Sequence, residues 1–317
     1  MSGRLVTTVR RTGQRVADGW FAPAPAERLA AMRLLAGLFV LGYLVARGTT
    51  LWRLAAMPRR DFTPVGLARL LDAPVAAGWH HALVVATALL AVAFTVGWLH
   101  RWLAPLFAVA LIWIMGYRSS WGMLFHTDNL LVLHVAVLAL APAADAWSVD
   151  AWRRARAGAA APPPAEAYGW PLKLMAAITC LTYVIAGVAK IKLGGWAWAE
   201  GAQLREQVAI DNVRKALLGS SMSPLAAPML HHDRLFTVMA VMSLTIELGA
   251  PLALLHRRVA AVWALAAWGF HAGVVALMAI LFPYPLLGLA YAPLFAVERP
   301  VGWVGRALRL RAKRGAE

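Results

Sequence analysis

The sequence predicts an all-α protein, a polytopic transmembrane helical bundle of about eight helices without a large extramembrane domain. Composition carries this prediction, because 61% of the 317 residues are hydrophobic and only 15% are charged. Soluble domains have roughly 45–50% apolar and about 25% charged residues. The apolar residues also fall into blocks near the roughly 20 residues that a helix needs to cross a bilayer. In lipid, backbone polar groups must be paired within the segment, so such blocks predict helices rather than open strands.

The predicted spanning helices follow one another in a single transmembrane domain, residues 28–297. They are expected at residues 28–48, 79–99, 102–118, 124–142, 169–191, 235–256, 259–281 and 284–297. A basic tail at residues 1–27 precedes this domain, and a second basic tail at residues 298–317 follows it.

The positions of the basic residues predict how the chain is oriented in the membrane and what surrounds it. The net charge is +16, but lysine and arginine lie at helix ends, in short loops and in the tails, where anionic headgroups account for them. We therefore expect a lipid bilayer as the partner and no nucleic acid. An even number of helices puts both tails on one side, and their charge predicts that both termini are cytoplasmic, in a bacterial inner membrane. The loops at residues 49–78 and 192–234 are then external, and the second contains an amphipathic segment around residues 204–218.

Polar residues inside the apolar blocks are the candidates for function, because ionisable side chains are costly in a membrane helix. The expected orientation gathers them in a cavity that opens from the external half of the membrane toward its midplane. The candidates nearer the external surface are His126, Asp128, Asn129, Arg118 and Lys190. Those nearer the midplane are Glu247 and His271, and Tyr183 precedes Lys190 by seven positions on one helix.

Several of these residues also have a structural interpretation, which the sequence leaves open. Lys190 could extend along its helix to the headgroups, and His126 could be an interfacial histidine. Asp128 and Asn129 could form a hydrogen-bonded turn at a helix start.

The remaining polar residues divide in the same way. Glu247 must pair, bind a ligand or carry a proton at the midplane, and a purely structural ion pair would satisfy it. His271 could be a packed core histidine. We interpret His134 as a packing residue and Arg33 as a helix-end anchor.

Other chemistry is weakly indicated. The chain has no P-loop, no G-x-G-x-x-G after a strand, no H-E-x-x-H and no G-x-S-x-G. Cys180 is the one cysteine, which excludes an intramolecular disulfide and a cysteine-based zinc site. His231-His232-Asp233 could suggest a metal site, but adjacent histidines on a short segment are more typical of a surface.

Three parts of the chain carry a resemblance to a known family. They are residues 183–190 with 198–201, residues 270–271 with 281–284 and 292–295, and residues 147–150. The most specific is Tyr183-Val-Ile-Ala-Gly-Val-Ala-Lys190, which resembles the Y-x-I-A-G-x-x-K motif of the vitamin K-dependent gamma-carboxylases. The wider group is the HTTM (horizontally transferred transmembrane domain) family, and the resemblance covers roughly residues 28–297.

The resemblance implies a reaction and roles for individual residues. In the carboxylases, the lysine that matches Lys190 is the base that deprotonates reduced vitamin K, a hydroquinone. Oxygen then gives a stronger base that takes a proton from glutamate, and carbon dioxide adds to the resulting carbanion. The histidine that matches His126 assists at the same site. We therefore expect a reduced quinone of the vitamin K or menaquinol type as cofactor and no metal. The residues expected around it are Tyr183, Glu247, His271, Asn129, Asp128 and Arg118.

Two functions fit these observations, and a third fits them less well. The first is a carboxylase-like carbon–carbon lyase, or another enzyme that oxidises a quinol, with a separate protein or peptide as possible substrate. The second is a non-catalytic membrane subunit that binds a quinone or lipid and acts with a separate protein. It is suggested because the carboxylases continue into a large lumenal substrate-binding domain, whereas here a basic tail follows residue 297. A transporter is disfavoured, since no inverted repeat or pair of broken helices is visible.

Overall fold

Helices dominate the computed structural model, which describes residues 18–303 except for the side chain of His126. No β-strand occurs in that part of the chain; Ala24 and Ala165 form an isolated antiparallel bridge. The all-α prediction is therefore confirmed. The described chain divides into two compact units, residues 18–175 with 296–303 (unit 1) and residues 176–295 (unit 2).

Five helices with both ends inside the described residues belong to unit 1, together with the start of a sixth. They are α1 Ala26–Arg53, α2 Ala77–Val96, α3 His100–Ser119, α4 Asn129–Leu140, α5 Val149–Arg156 and the first part of α6 Glu166–Gly194. In α1, Glu27 lies in the first turn and Arg53 in the last, each with the charge that the helix dipole favours. The α2 helix ends at Gly97, whose φ of 65° suits the left-handed cap that glycine adopts without strain.

A buried arginine holds unit 1 together at the end of α2. Arg33 is fully buried, and its guanidinium donates to the carbonyl oxygens of Phe94 and Thr95 in the last turn of α2. It also donates to the carbonyl oxygens of Ala143 and Trp147 in the loop before α5. Arg33 therefore satisfies backbone acceptors that the helix end leaves open. The sequence suggested a helix-end anchor, and the structure shows that Arg33 joins the end of α2 to the loop before α5.

Unit 2 is built around the second half of α6. The helices that follow are α7 Ala202–Leu217, α8 Ala226–Met229, α9 Asp233–Leu248, α10 Arg257–Met278 and α11 Pro283–Leu286. A 3₁₀ turn at Ala250–Leu254 continues α9 toward α10. The α7 helix confirms the amphipathic segment expected around residues 204–218.

Five described helices are long and apolar enough to cross a membrane, namely α1 with its 3₁₀ extension to Ala56, α2, α3, α6 and α10. The α4 helix is apolar but only 12 residues long. Large apolar side chains also point outward from the long helices; Leu89 of α2 and Leu265 of α10 are 67% and 70% exposed. Such faces need lipid rather than water around them, which agrees with the predicted membrane domain.

The predicted helix at residues 284–297 is not formed. The four residues of α11 are followed by turns and by a 3₁₀ turn at Ala292–Leu294. Pro285 and Pro293 lack the amide proton that a helix interior needs, and Gly288 has a φ of 76°. The expected orientation relied on counting this helix, so the cytoplasmic location of the termini stays a prediction. Most of the two basic tails lies outside the described residues.

Candidate functional site

Lys190 and Glu247 form a partly buried ion pair inside unit 2. Lys190 lies one turn before the end of α6, and Glu247 lies in the last turn of α9. The Lys190 Nζ donates to both Glu247 carboxylate oxygens at 2.7 Å and to the Ser243 hydroxyl at 2.6 Å. The Glu247 side chain is only 4% exposed, and that of Lys190 is 21% exposed. The structural pairing that the sequence left open for Glu247 is thus present, and its partner is the residue predicted as the base.

A glycine lets the two helices approach closely at this point. Gly187 lies one turn before Lys190 on α6, within the segment that resembles the carboxylase motif. A Cβ atom at this position would lie 3.0 Å from the Cβ of Glu247 and 2.9 Å from a methyl carbon of Leu248. Such distances leave no room for a larger side chain without a shift of α9. The glycine of the motif therefore has a steric role, since it allows Glu247 to reach Lys190.

Aromatic rings flank the Lys190 ammonium. Its Nζ lies 5.4 Å from the ring centroid of Trp198 and 5.3 Å from that of Phe270. Trp198 is itself buried and packs against Ala240 and Leu244 of α9. Both distances are within the range in which an aromatic face attracts a cation. The ammonium is therefore held by one carboxylate, one hydroxyl and two aromatic side chains.

A second polar cluster of unit 2 links α6, α10 and the turns after α11. The Tyr183 hydroxyl is hydrogen-bonded to His271 Nε2 at 2.8 Å and to the Tyr291 hydroxyl at 2.7 Å. The ring of Trp263 packs edge-on against Tyr183, with 5.1 Å between centroids. The His271 Nδ1 atom is buried and has no hydrogen-bond partner among the described residues. Tyr183 and His271, both predicted site residues, are therefore in direct contact.

The other predicted residues form a separate cluster in unit 1. Arg118 at the end of α3 donates to the Asp128 carboxylate at 2.7 Å and also to the Tyr43 hydroxyl. Tyr43 in turn donates to the same Asp128 oxygen at 3.0 Å. The Arg118 guanidinium lies 3.4 Å from the ring centroid of Phe125. Arg118 and Asp128 are both less than a tenth exposed, so this ion pair is also buried.

The positions of the remaining predicted residues say less about function. His126 opens the 3₁₀ turn His126–Asp128 that leads into α4, and its side chain lies outside the described part. Asn129 begins α4 with an exposed side chain. His134 is fully buried, and its Nε2 donates to the carbonyl oxygen of Met175 at 3.1 Å, which agrees with a packing role. His231 and His232 are exposed, and no described group of three or more His, Cys, Asp or Glu residues could hold a metal ion.

The contact residues that the sequence did not single out include Ser243, Trp198, Tyr291 and Tyr43. Ser243 precedes Glu247 by four positions, the spacing that brings two side chains to one helix face, so this signal was available. Trp198 follows the Tyr183–Lys190 segment, and only the family resemblance pointed to it. Tyr291 and Tyr43 are ordinary aromatic residues of apolar blocks, and only the tertiary structure shows their contacts.

A cavity of unit 1 is separate from these clusters. It has a volume of about 940 Å³ and is lined by residues that include Glu27, Asp145, Trp147 and Arg154. None of the predicted site residues lines it. Contacts of the ionisable side chains, rather than cavity size, therefore identify the candidate site.

Comparison with known proteins gives one result. The family model of the HTTM domain matches residues 21–299, which is nearly the whole chain. No curated protein and no solved structure matched the sequence.

Proposed function

The chain belongs to the HTTM family of membrane proteins, and from that premise we propose that it is a membrane enzyme that binds a reduced quinone beside Lys190. In this proposal the Lys190 amine removes a proton from the bound hydroquinone. The reaction is carboxylase-like or another quinol- and oxygen-dependent modification of a separate protein or peptide. The site lies in the external half of a bacterial inner membrane.

The observation that carries the proposal is the pairing of Lys190 with Glu247. A lysine must first lose its ammonium proton before it can act as a base. Both Glu247 oxygens lie 2.7 Å from Nζ, so this carboxylate can take that proton directly. Burial favours the transfer, because a neutral amine and a neutral acid are easier to hold in an apolar site than two charges. Ser243 fixes the direction in which the amine points.

The surroundings of Lys190 also fit a flat aromatic ligand. Trp198 and Phe270 present rings at 5.4 and 5.3 Å from the Nζ atom, and offset stacking against aromatic rings is favourable. Tyr183 and His271 offer hydroxyl and imidazole groups that can hydrogen-bond a ring oxygen. When bound, a hydroquinone supplies an acidic hydroxyl and two electrons for oxygen. The protein then has to orient the ring, exclude water and hold the released proton on Lys190 Nζ. The supporting role that the resemblance implies for His126 stays a prediction.

The test uses the purified full chain in detergent, supplied with menaquinol and oxygen. We expect quinone epoxide to form, and Lys190→Ala to lower the rate by at least about 100-fold, the usual contribution of a general base. The matched control is Lys173→Ala, which removes an exposed lysine of the same helix and should leave the rate unchanged. A Lys190→Ala variant that keeps wild-type turnover contradicts the proposal.

A second candidate function is a non-catalytic subunit that binds a quinone or lipid for a separate protein. The observation in its favour is that three oxygen atoms already accept hydrogen bonds from the Lys190 Nζ. An ammonium held in this way suits a structural anchor. Extraction of a tightly bound quinone from wild-type protein that forms no epoxide would support this function and contradict the first.

A further inference from the structure

The amphipathic helix α7 is fastened to the end of the spanning helix α10. The Asn212 side chain donates to the carbonyl oxygen of Leu277 at 2.9 Å. Lys215 donates to the carbonyl oxygen of Met278, and the Ser223 hydroxyl donates to that of Ala276. These are carbonyls of the last turn of α10, which has no further helical turn to pair them. The polar face of α7 and the loop after it therefore cap α10.

The polar face is also neutralised within the helix itself. Asp211 is 8% exposed and lies 2.7 Å from Lys215 and 2.8 Å from Arg214. Burial raises the pKa of the Asp211 carboxyl, but the hydrogen bonds from Lys215 and Arg214 outweigh it and bring the pKa below its ordinary value. Asp211 is therefore ionised at neutral pH, and the inward charges of α7 need no external partner.

This fastening fixes the depth of α7 in the membrane. The 22 residues of α10 span about 33 Å, close to the thickness of the hydrocarbon core. A helix of this length that crosses the bilayer has its last turn at one surface. Since α7 contacts that turn by direct hydrogen bonds, α7 lies at the same level.

The opposite face of α7 is apolar and open in its C-terminal half. Ile210, Val213 and Leu217 are spaced three and four positions apart, which puts them on one face, and they are 67%, 58% and 82% exposed. The buried residues Val208 and Asn212 lie on the other side of the helix. Glu206 lies on this side in the N-terminal half of α7, but the outward positions after it, Ile210, Val213 and Leu217, are apolar. A soluble loop helix would carry charge at such outward positions.

We propose that this face of α7, Ile210–Val213–Leu217, lies in the bilayer interface as an in-plane membrane helix. Its occupant is the headgroup and acyl-chain boundary of the lipid, not a protein. The apolar surface continues beyond the helix, because Leu218, Met222 and Leu225 are each at least half exposed. It also continues onto the end of α6, where Leu193 is 87% and Trp196 is 74% exposed, and tryptophan is typical of that depth.

The test labels single cysteines with an environment-sensitive dye in the full chain, reconstituted into nanodiscs without any partner protein. The native Cys180 is buried, and the unsubstituted chain serves as the blank for its labelling. Leu217→Cys probes the proposed face. Leu265→Cys, on the exposed side of α10, is the lipid-facing reference, and Gln207→Cys probes the flank of α7.

We expect the dye at position 217 to emit at shorter wavelength than the dye at position 207. It should be quenched by nitroxide groups placed high on the acyl chains, and the dye at position 265 by nitroxides placed deeper. Aqueous iodide should quench position 207 more than position 217. If position 217 is open to iodide and unaffected by lipid nitroxides, the proposal is wrong, and the apolar face awaits a protein instead. This outcome is independent of the quinone site, since no probe touches Lys190.

Discussion

Two ion pairs, one in each unit, have nearly the same geometry and very different chemistry. Arg118–Asp128 in unit 1 and Lys190–Glu247 in unit 2 each join a cation to a carboxylate across 2.7 Å. The carboxylate of Asp128 also accepts from Tyr43, and its arginine packs over Phe125. Lys190 is instead the more exposed member of its pair and lies between two aromatic rings.

The difference in the cation decides what each pair can do. A guanidinium stays charged at any accessible pH, so Arg118 can hold its neighbours but cannot accept a proton. A lysine can release its proton to an adjacent acid and then take one from a ligand. Unit 1 therefore carries the pair suited to structure, and unit 2 carries the pair suited to proton transfer. The proposed cofactor-binding roles of Arg118 and Asp128 remain predictions.

Loss of the carboxylate gives the largest expected contrast between the pairs. Asp128→Asn leaves a permanent charge unpaired in a buried site and should lower the free energy of unfolding by about 3–5 kcal/mol. Glu247→Gln should lower it less, because Lys190 can shed its proton and become neutral. Thermal unfolding of both variants in the same detergent measures the two losses.

The control for this contrast is an exposed pair. Asp61→Asn removes the partner of Arg60, whose side chain is 86% exposed, and should change the unfolding temperature little. A Glu247→Gln variant that is as unstable as Asp128→Asn would show that Lys190 stays charged. The distinction between the two pairs would then fail.

A smaller effect is expected from the glycine that lets Lys190 and Glu247 meet. Gly187→Ala places a methyl group 3.0 Å from the Cβ of Glu247 and should cost about 1–3 kcal/mol by overpacking. Gly273→Ala on α10 is the matched control, because nothing lies within 4 Å of its added carbon. It should be neutral or slightly stabilising, since alanine favours a helix. Equal unfolding temperatures of the two variants would mean that the α6–α9 approach is not tight.

The fold class and the candidate functional residues could be predicted from the sequence, because both depend on local signals. Charged residues stand out in apolar blocks, so Lys190 and Glu247 could be identified one by one. Their pairing could not, because the two residues are 57 positions apart and helix packing decides which helices meet. The helix expected at residues 284–297 failed for a local reason, since Pro285, Gly288 and Pro293 outweighed the hydrophobicity of the segment.

Turnover of menaquinol by Lys190→Arg tests the central claim most directly. Arginine keeps the charge that pairs with Glu247 but cannot serve as a base. We predict that this variant still retains quinone after purification and that its epoxide formation falls by at least about 100-fold. Turnover near the wild-type rate would contradict the account, because the site would then need only a cation at position 190.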